Sequence, residues 1–218
     1  MRRSFAVVVV PLLLALALAG CGGQSSGSQV PVTGVTMYDS DGLDGNVLPQ
    51  PYAVPDLTLD DVDGSPYDLA TDATKPLTLV FFGYTHCPDL CQIVMANIAS
   101  AMTRLDSAQR AEVDMLFVTT DPARDDPKTL KTYVGRFDPT FDALTGDLPT
   151  IVRLGQAFDV EIAKGTKLAS GGYDVAHGTQ IVGLLPDGRA PFVWTDGTDP
   201  AALAGDITKI LDDKVAGL

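Results

Sequence analysis

Leu77-Thr78-Leu79-Val80-Phe81-Phe82-Gly83-Tyr84-Thr85-His86-Cys87-Pro88-Asp89-Leu90-Cys91 decides the fold of this chain. Its first eight residues form a nearly continuous apolar run, as a strand buried on both faces requires. Pro88 suits the first position of a helix, and Leu90, Val94, Ile98, Met102 and Leu105 recur at spacings of three and four, predicting a helix over 88–105. A buried strand that hands over to a helix is the unit of an open α/β sheet, and such sheets bind ligands at the carboxyl ends of their strands. Two cysteines fall at that junction. With Pro88 as the first helical residue, Cys87 is expected at the N-cap and Cys91 one turn inside, with both sulfurs on one side. The positive end of the helix favours their thiolate forms.

On either side of this unit the chain alternates strand-like and helix-like segments. Leu57-Thr58-Leu59, Asp63-Gly64 and Ser65-Pro66-Tyr67 predict a small N-terminal hairpin, and Val113 to Thr120 a second buried strand. Pro127 opens another helix with Leu130, Tyr133, Val134 and Phe137 on one side. Phe141 to Thr145 reads as a third strand and Pro149 to Phe158 as a third helix. Asp159 to Ala176, with Gly165, Gly171 and Gly172, reads as a loop or lid. Gln180 to Leu185 and Pro191 to Trp194 flank Pro186-Asp187-Gly188 as a hairpin, and Ala201 to Leu211 closes the chain as a helix. This order predicts an α/β domain: a mixed sheet flanked by helices on both faces, with no internal repeat.

The 218 residues suit one ordinary domain plus a short appendage, and 45% hydrophobic with 20% charged residues excludes a disordered polymer. Fifteen Lys and Arg against 28 Asp and Glu, a formal charge of −13 with no basic block, argue against a nucleic-acid partner. Arg2 and Arg3 followed by the apolar run Phe5 to Gly20 read as an export signal too short for a comfortable membrane span. Leu18-Ala19-Gly20-Cys21 resembles a bacterial lipobox, which implies cleavage before Cys21 and a diacylglyceryl group on its sulfur. The expected organisation is a signal peptide over 1–20, a lipidated polar tether over 21–48 and the folded domain over 49–218, on the extracytoplasmic face of a bacterial membrane. Gly23-Gln24-Ser25-Ser26-Gly27 spells a nucleophile pattern without a preceding strand, and Asp39-Ser40-Asp41-Gly42 starts a calcium loop without its terminal Glu. Both read as polar linker.

Reactive residues are scarce: three Cys and two His. With Cys21 assigned to lipid, Cys87 and Cys91 remain, in a compartment where paired thiols are either bridged or kept reduced for a purpose. Their C-x-x-x-C spacing puts the Cα atoms about 6 Å apart along a regular helix, near the upper end of disulfide geometry. A bridge is less favoured than two sulfurs converging on a soft ion. His177 opens the C-terminal hairpin, where it can reach the same end of a sheet as the thiols; a structural histidine is the alternative reading. His86 should diverge from its neighbour Cys87 and reads as a loop residue. Two thiolates and an imidazole suit copper as Cu(I) or Cu(II); zinc with a water would also fit, magnesium and calcium would not. Asp121 follows a strand end that could lie near the thiols, while Asp60, Asp61, Asp63, Asp125 and Asp126 read as solvated turns and helix starts. Met95 and Met102 read as core.

Phe81 to Cys91 (FFGYTHCPDLC) resembles the signature of the Sco/SenC copper proteins, which assist assembly of cytochrome c oxidase. Val118 to Pro127 (VTTDPARDDP), Phe137-Asp138-Pro139, Leu144-Thr145-Gly146 and His177 followed by a strand and Pro186-Asp187-Gly188 extend the resemblance from about Pro55 to Trp194. It implies a thioredoxin-like fold and copper held by Cys87, Cys91 and His177. That family commonly carries an Asp just before the histidine, where this chain has Ala176, with Asp174 three residues ahead of His177. The loss of such a carboxylate would retune the site rather than remove a ligand. The implied function is a monomeric, membrane-tethered metallochaperone for the copper-bearing oxidase subunit and its binuclear centre. The alternative is a thiol–disulfide oxidoreductase that keeps the oxidase copper-site cysteines reduced. A peroxidase on the same fold is disfavoured by the paired cysteines and distal His177.

Overall fold

In the computed structural model the residues described are 42–167 and 173–212. Lipidation at Cys21, the signal peptide, the Gly23–Gly27 motif and all but Gly42 of the Asp39–Gly42 motif therefore lie outside the described residues.

The apolar run around Phe81 becomes β4 (Leu77–Gly83), every residue of which is buried. It pairs in parallel with β5 (Val113–Thr119), which pairs in parallel with β6 (Asp142–Thr145). The N-terminal hairpin, β2 (Thr58–Asp61) and β3 (Pro66–Asp68), adds to β6 in antiparallel fashion. On the other side, β9 (Ile181–Leu184) and β10 (Arg189–Trp194) form the C-terminal hairpin, and β1 (Asn46–Ala53) closes that edge. The eight strands run β1-β10-β9-β4-β5-β6-β2-β3. The mixed sheet expected from the sequence is present, but the fold starts earlier than Pro49: β1 begins at Asn46.

Alternation along β4 sorts the helices onto two faces. Leu77, Leu79 and Phe81 share a core with α2 (Leu90–Met102), α4 (Pro127–Val134) and α6 (Pro200–Leu211). Val80 and Phe82 face the other core, built with α5 (Leu148–Ala157) and Leu69 of the short α1 (Leu69–Asp72). A further short helix, α3 (Ser107–Ala111), precedes β5 under a capping box between Asp106 and Gln109. Met95 and Met102 are buried in the first core, as expected. No helix among the described residues is long and apolar enough to cross a membrane.

The segment read as a loop or lid instead holds a separate antiparallel hairpin, β7 (Ile162–Lys167) and β8 (Tyr173–His177), with His177 paired to Ile162. Its glycines masked the strand pattern, and the cross-strand pairing that makes it a hairpin is not a local property. Three residues separate His177 from Ile181, which pairs with Phe81 near the end of β4. That connection brings the histidine to the cysteines.

Candidate metal centre

Backbone geometry around the cysteines differs from the expected cap in one respect. The Cys87 amide donates to the Tyr84 carbonyl at 3.2 Å, closing a turn that delays the helix. The N-cap is therefore Asp89, not Cys87, and α2 begins at Leu90. Cys91 becomes the second helical residue and occupies the inward position assigned above to Leu90; Leu90 is instead 39% exposed and Cys91 fully buried. Gly83 permits the approach: a Cβ there would lie 2.8 Å from the Phe117 ring and 3.2 Å from Cys91 Sγ.

Cys87 and Cys91 are both free thiols. With His177 they form a cluster whose ligand atoms all lie within 4.8 Å of one another. His177 Nε2 stands 3.3 Å from Cys91 Sγ, while Nδ1 stands 2.9 Å from the Gly178 carbonyl oxygen. A carbonyl only accepts, so Nδ1 donates to Gly178, and Nε2 is the ring nitrogen turned toward the sulfurs. This backbone oxygen takes the orienting role that a carboxylate at position 176 would otherwise have. Asp174 does not take it: its carboxylate accepts from the Tyr84 hydroxyl and from the Val175 amide. The Tyr84 and Phe81 rings meet the imidazole edge to face, at 5.8 and 6.3 Å between centroids.

The two thiols divide one proton unequally. A hydrogen bond from the Cys91 thiol draws Cys87 down to about 4; burial opposes this, and His177 and the amides of Asp89 and Cys91 assist. Cys91, as donor of that bond and deeply desolvated, is pushed well up. The arrangement sets one readily ionised thiol beside a less acidic partner and an imidazole nitrogen. Such a set of soft and borderline donors matches copper or zinc and offers nothing to hard cations.

Asp125, read above as a solvated turn residue, is fully buried beneath the cysteine turn. It accepts the Thr85 amide at 2.9 Å, the Thr85 hydroxyl at 2.6 Å and the Thr119 hydroxyl at 2.8 Å. Thr85 follows β4 and Thr119 ends β5, so one carboxylate ties the two strand ends together. Asp126, its exposed neighbour, is the N-cap of α4. Asp121 is buried too and pairs with Arg124, whose guanidinium lies 5.5 Å over the Tyr84 ring. It thus reaches the cluster through Tyr84 rather than directly. His86 is exposed, with Nδ1 3.0 Å from the Thr85 hydroxyl and 3.5 Å from Asp125; it does not join Cys87.

The sequence model of the SCO1/SenC family matches residues 49–212. A Stutzerimonas stutzeri protein named for copper binding is 32% identical over 142 residues, which span 65% of this chain and 69% of the relative. The mitochondrial SCO2 homologue of Danio rerio is 37% identical over 111 residues, 50% of this chain and 40% of its own. Bradyrhizobium japonicum ScoI, solved with copper bound, aligns with a TM-score of 0.64 and 29% identity, covering 72% of this chain and 99% of that one. Apo Sco1 from Thermus thermophilus aligns with a TM-score of 0.68 and 27% identity, covering 77% and 96%. The chain spans about half or less of the mitochondrial relatives it matches.

Proposed function

The chain belongs to the SCO1/SenC family, and on that premise we propose that it is a copper metallochaperone acting in cytochrome c oxidase assembly. Its cargo is one copper ion, held by Cys87, Cys91 and His177 and passed to the copper-bearing oxidase subunit for the binuclear centre. The observation that carries this reading is the convergence of those three ligand atoms within 4.8 Å on one end of the sheet. Two sulfurs satisfy Cu(I), and the imidazole nitrogen makes the same set acceptable to Cu(II). Ligand exchange starts from the accessible side. Cys87 is 8% exposed and His177 is partly exposed, whereas Cys91 is closed off and releases the ion last. A lipid on Cys21 would hold this monomer on the extracytoplasmic membrane face and raise its effective concentration near a membrane-bound acceptor.

One observation favours a second reading, reduction of the acceptor's copper-site cysteines. Cys87 and Cys91 are free thiols with sulfurs within 4.8 Å of each other, and the Cys87 thiol is drawn well below the ordinary thiol range by its neighbour. Its attack on an acceptor disulfide would release one acceptor thiol and form a mixed disulfide. Cys91 would then release the second, leaving Cys87 and Cys91 bridged until an external dithiol restores them.

Anaerobic Cu(I) titration of the reduced protein lacking residues 1–21 tests the first reading. The expected result is one copper per chain, with affinity lost sharply in Cys87→Ser, Cys91→Ser and His177→Ala. Unchanged affinity in all three ends it. Oxidase that loads normally from copper and pre-reduced acceptor, without this protein, would assign the role to reduction instead.

A further inference from the structure

We propose that Tyr84 and Asp174 are a positioning pair that holds His177 against the two thiols, an inference that rests on the metallochaperone reading. The cysteines and the histidine reach the cluster on separate pieces of chain. Cys87 and Cys91 follow β4, whereas His177 ends β8, and β7 with β8 makes a two-stranded sheet distinct from the eight-stranded one. A two-stranded ribbon is marginal alone, so its place depends on what it packs and bonds against. The bond from His177 Nδ1 to the Gly178 carbonyl joins neighbouring residues. It turns the ring, but a bond between neighbours cannot fix the distance to Cys91, 86 positions earlier.

Tyr84 spans that gap. Its carbonyl accepts the Cys87 amide at 3.2 Å, so its backbone belongs to the cysteine turn. Its hydroxyl donates to the Asp174 carboxylate on β8. The same carboxylate oxygen accepts the Val175 amide at 2.9 Å, and that amide lies 3.4 Å from the Tyr84 oxygen. The Tyr84 side chain is itself held in place: it is fully buried, meets the His177 ring edge to face, and carries the Arg124 guanidinium over its ring at 5.5 Å. Val175 packs into the core beside β4, but apolar packing is non-directional. A hydrogen bond from a phenol to a carboxylate has a preferred line and length, so it sets where β8 stops as well as that it is held. One residue thus meets the turn of both thiols through its backbone and the strand of the histidine through its hydroxyl.

The test uses the full chain in detergent micelles, reduced and anaerobic, with Cu(I) and Cu(II) as probes. Tyr84→Phe keeps the ring and removes the hydroxyl, and Asp174→Ala removes the acceptor. Each should weaken Cu(II) binding roughly tenfold, the worth of one hydrogen bond to a charged group, and diminish the nitrogen hyperfine coupling in the electron paramagnetic resonance spectrum. Asp174→Asn keeps the one oxygen that takes both bonds and should restore most of the affinity. In a His177→Ala background, Tyr84→Phe should cost no further affinity for either ion, because the pair acts through the imidazole. In the metal-free protein, Tyr84→Phe should shift and broaden the His177 ring signals in NMR while the amides of β4 and α2 stay in place. Wild-type Cu(II) affinity in Tyr84→Phe, an undiminished cost of Tyr84→Phe when His177 is absent, no gain of Asp174→Asn over Asp174→Ala, or unmoved His177 ring signals would overturn the proposal. The ring signals are read without copper, so failure of the pair is distinct from failure of the copper titration.

Discussion

Asp125 shows how a residue that touches no metal ligand holds the site together. Its two oxygens take three donors from the ends of β4 and β5. Asp125→Asn keeps the shape but leaves one acceptor oxygen, so at least one donor must face an amide NH₂. The expected cost is roughly 1–3 kcal/mol of stability, read from urea denaturation, together with weaker copper binding as Thr85 releases the turn. A denaturation midpoint equal to wild type would remove Asp125 from this role. The sequence marked Cys87, Cys91 and His177 readily, because so few thiols and imidazoles exist to choose from. It could not separate Asp125 from Asp126, since either fits a helix start before Pro127. What buries the first is the parallel pairing of Gly83 with Thr119, which brings two distant hydroxyl-bearing residues to one carboxylate. The orientation of His177 was hidden for a similar reason: it comes from a backbone carbonyl, which every residue has.

Elements with continuous apolar runs, regular stripes or tight-turn signals were legible, the β2–β3 and β9–β10 hairpins among them, whereas β1 and the β7–β8 pair were not. β4, β5, α4, α5 and α6 lie close to their expected spans, helped by Pro at the first or second helical position in the last three. β1 escaped notice because its sequence, Asn46-Val47-Leu48-Pro49-Gln50-Pro51-Tyr52-Ala53, carries two prolines, which an edge strand with an irregular register tolerates. Its attachment depends on a second buried carboxylate. Asp206 of α6 accepts the Asp44 amide at 3.0 Å, the Gly45 amide at 2.8 Å and the Trp194 indole N–H at 2.9 Å. Gly45 is required there, since a Cβ would come within 2.3 Å of the indole nitrogen. Asp206→Ala strands three donors and should lower stability by roughly 2–4 kcal/mol, measured by denaturant titration. Copper stoichiometry should stay at one per chain, because none of these groups belongs to the cluster. A loss below 1 kcal/mol would show that solvent replaces Asp206 without difficulty.

At the scale of the molecule, strand direction places the entry of the chain and the site on one end of the thioredoxin-like sheet. Asn46 pairs with Val193, Trp194 with Ile181, and Ile181 with Phe81, so β1 begins beside the carboxyl end of β4. The start of β1 and the cysteine pair therefore lie at the same end of the sheet. The charge distribution sets how this domain responds to acid. Asp114 and Asp142 lie above the ordinary carboxyl value of 3.8, first through burial and then through neighbouring carboxylates. Burial also pushes Asp138 up, but bonds from Thr140 and the Arg110 guanidinium outweigh it and leave Asp138 below 3.8. The helix-capping Asp126 and Asp147 are lowered as well, by their bonds to Thr129 and Thr150. A carboxyl raised by folding takes up a proton more readily in the native state, so Asp114 and Asp142 add stability as pH falls toward 3.8. A lowered one contributes fully above 3.8 and loses that contribution as pH falls through its native value. Relief of self-repulsion in a chain of charge −13 acts in the first direction. The Cys87 thiol, ordinarily near 9 and drawn down to about 4, acts in the second direction throughout the interval between those values, so the urea midpoint of the metal-free, reduced protein should fall from pH 7 to pH 5 and further toward pH 3. Cys87→Ser should remove most of the fall between pH 7 and pH 5, and Asp138→Asn should reduce the loss below pH 4. A decline between pH 7 and pH 5 as steep in Cys87→Ser as in the wild type would mean that this thiol does not govern the acid response of the domain.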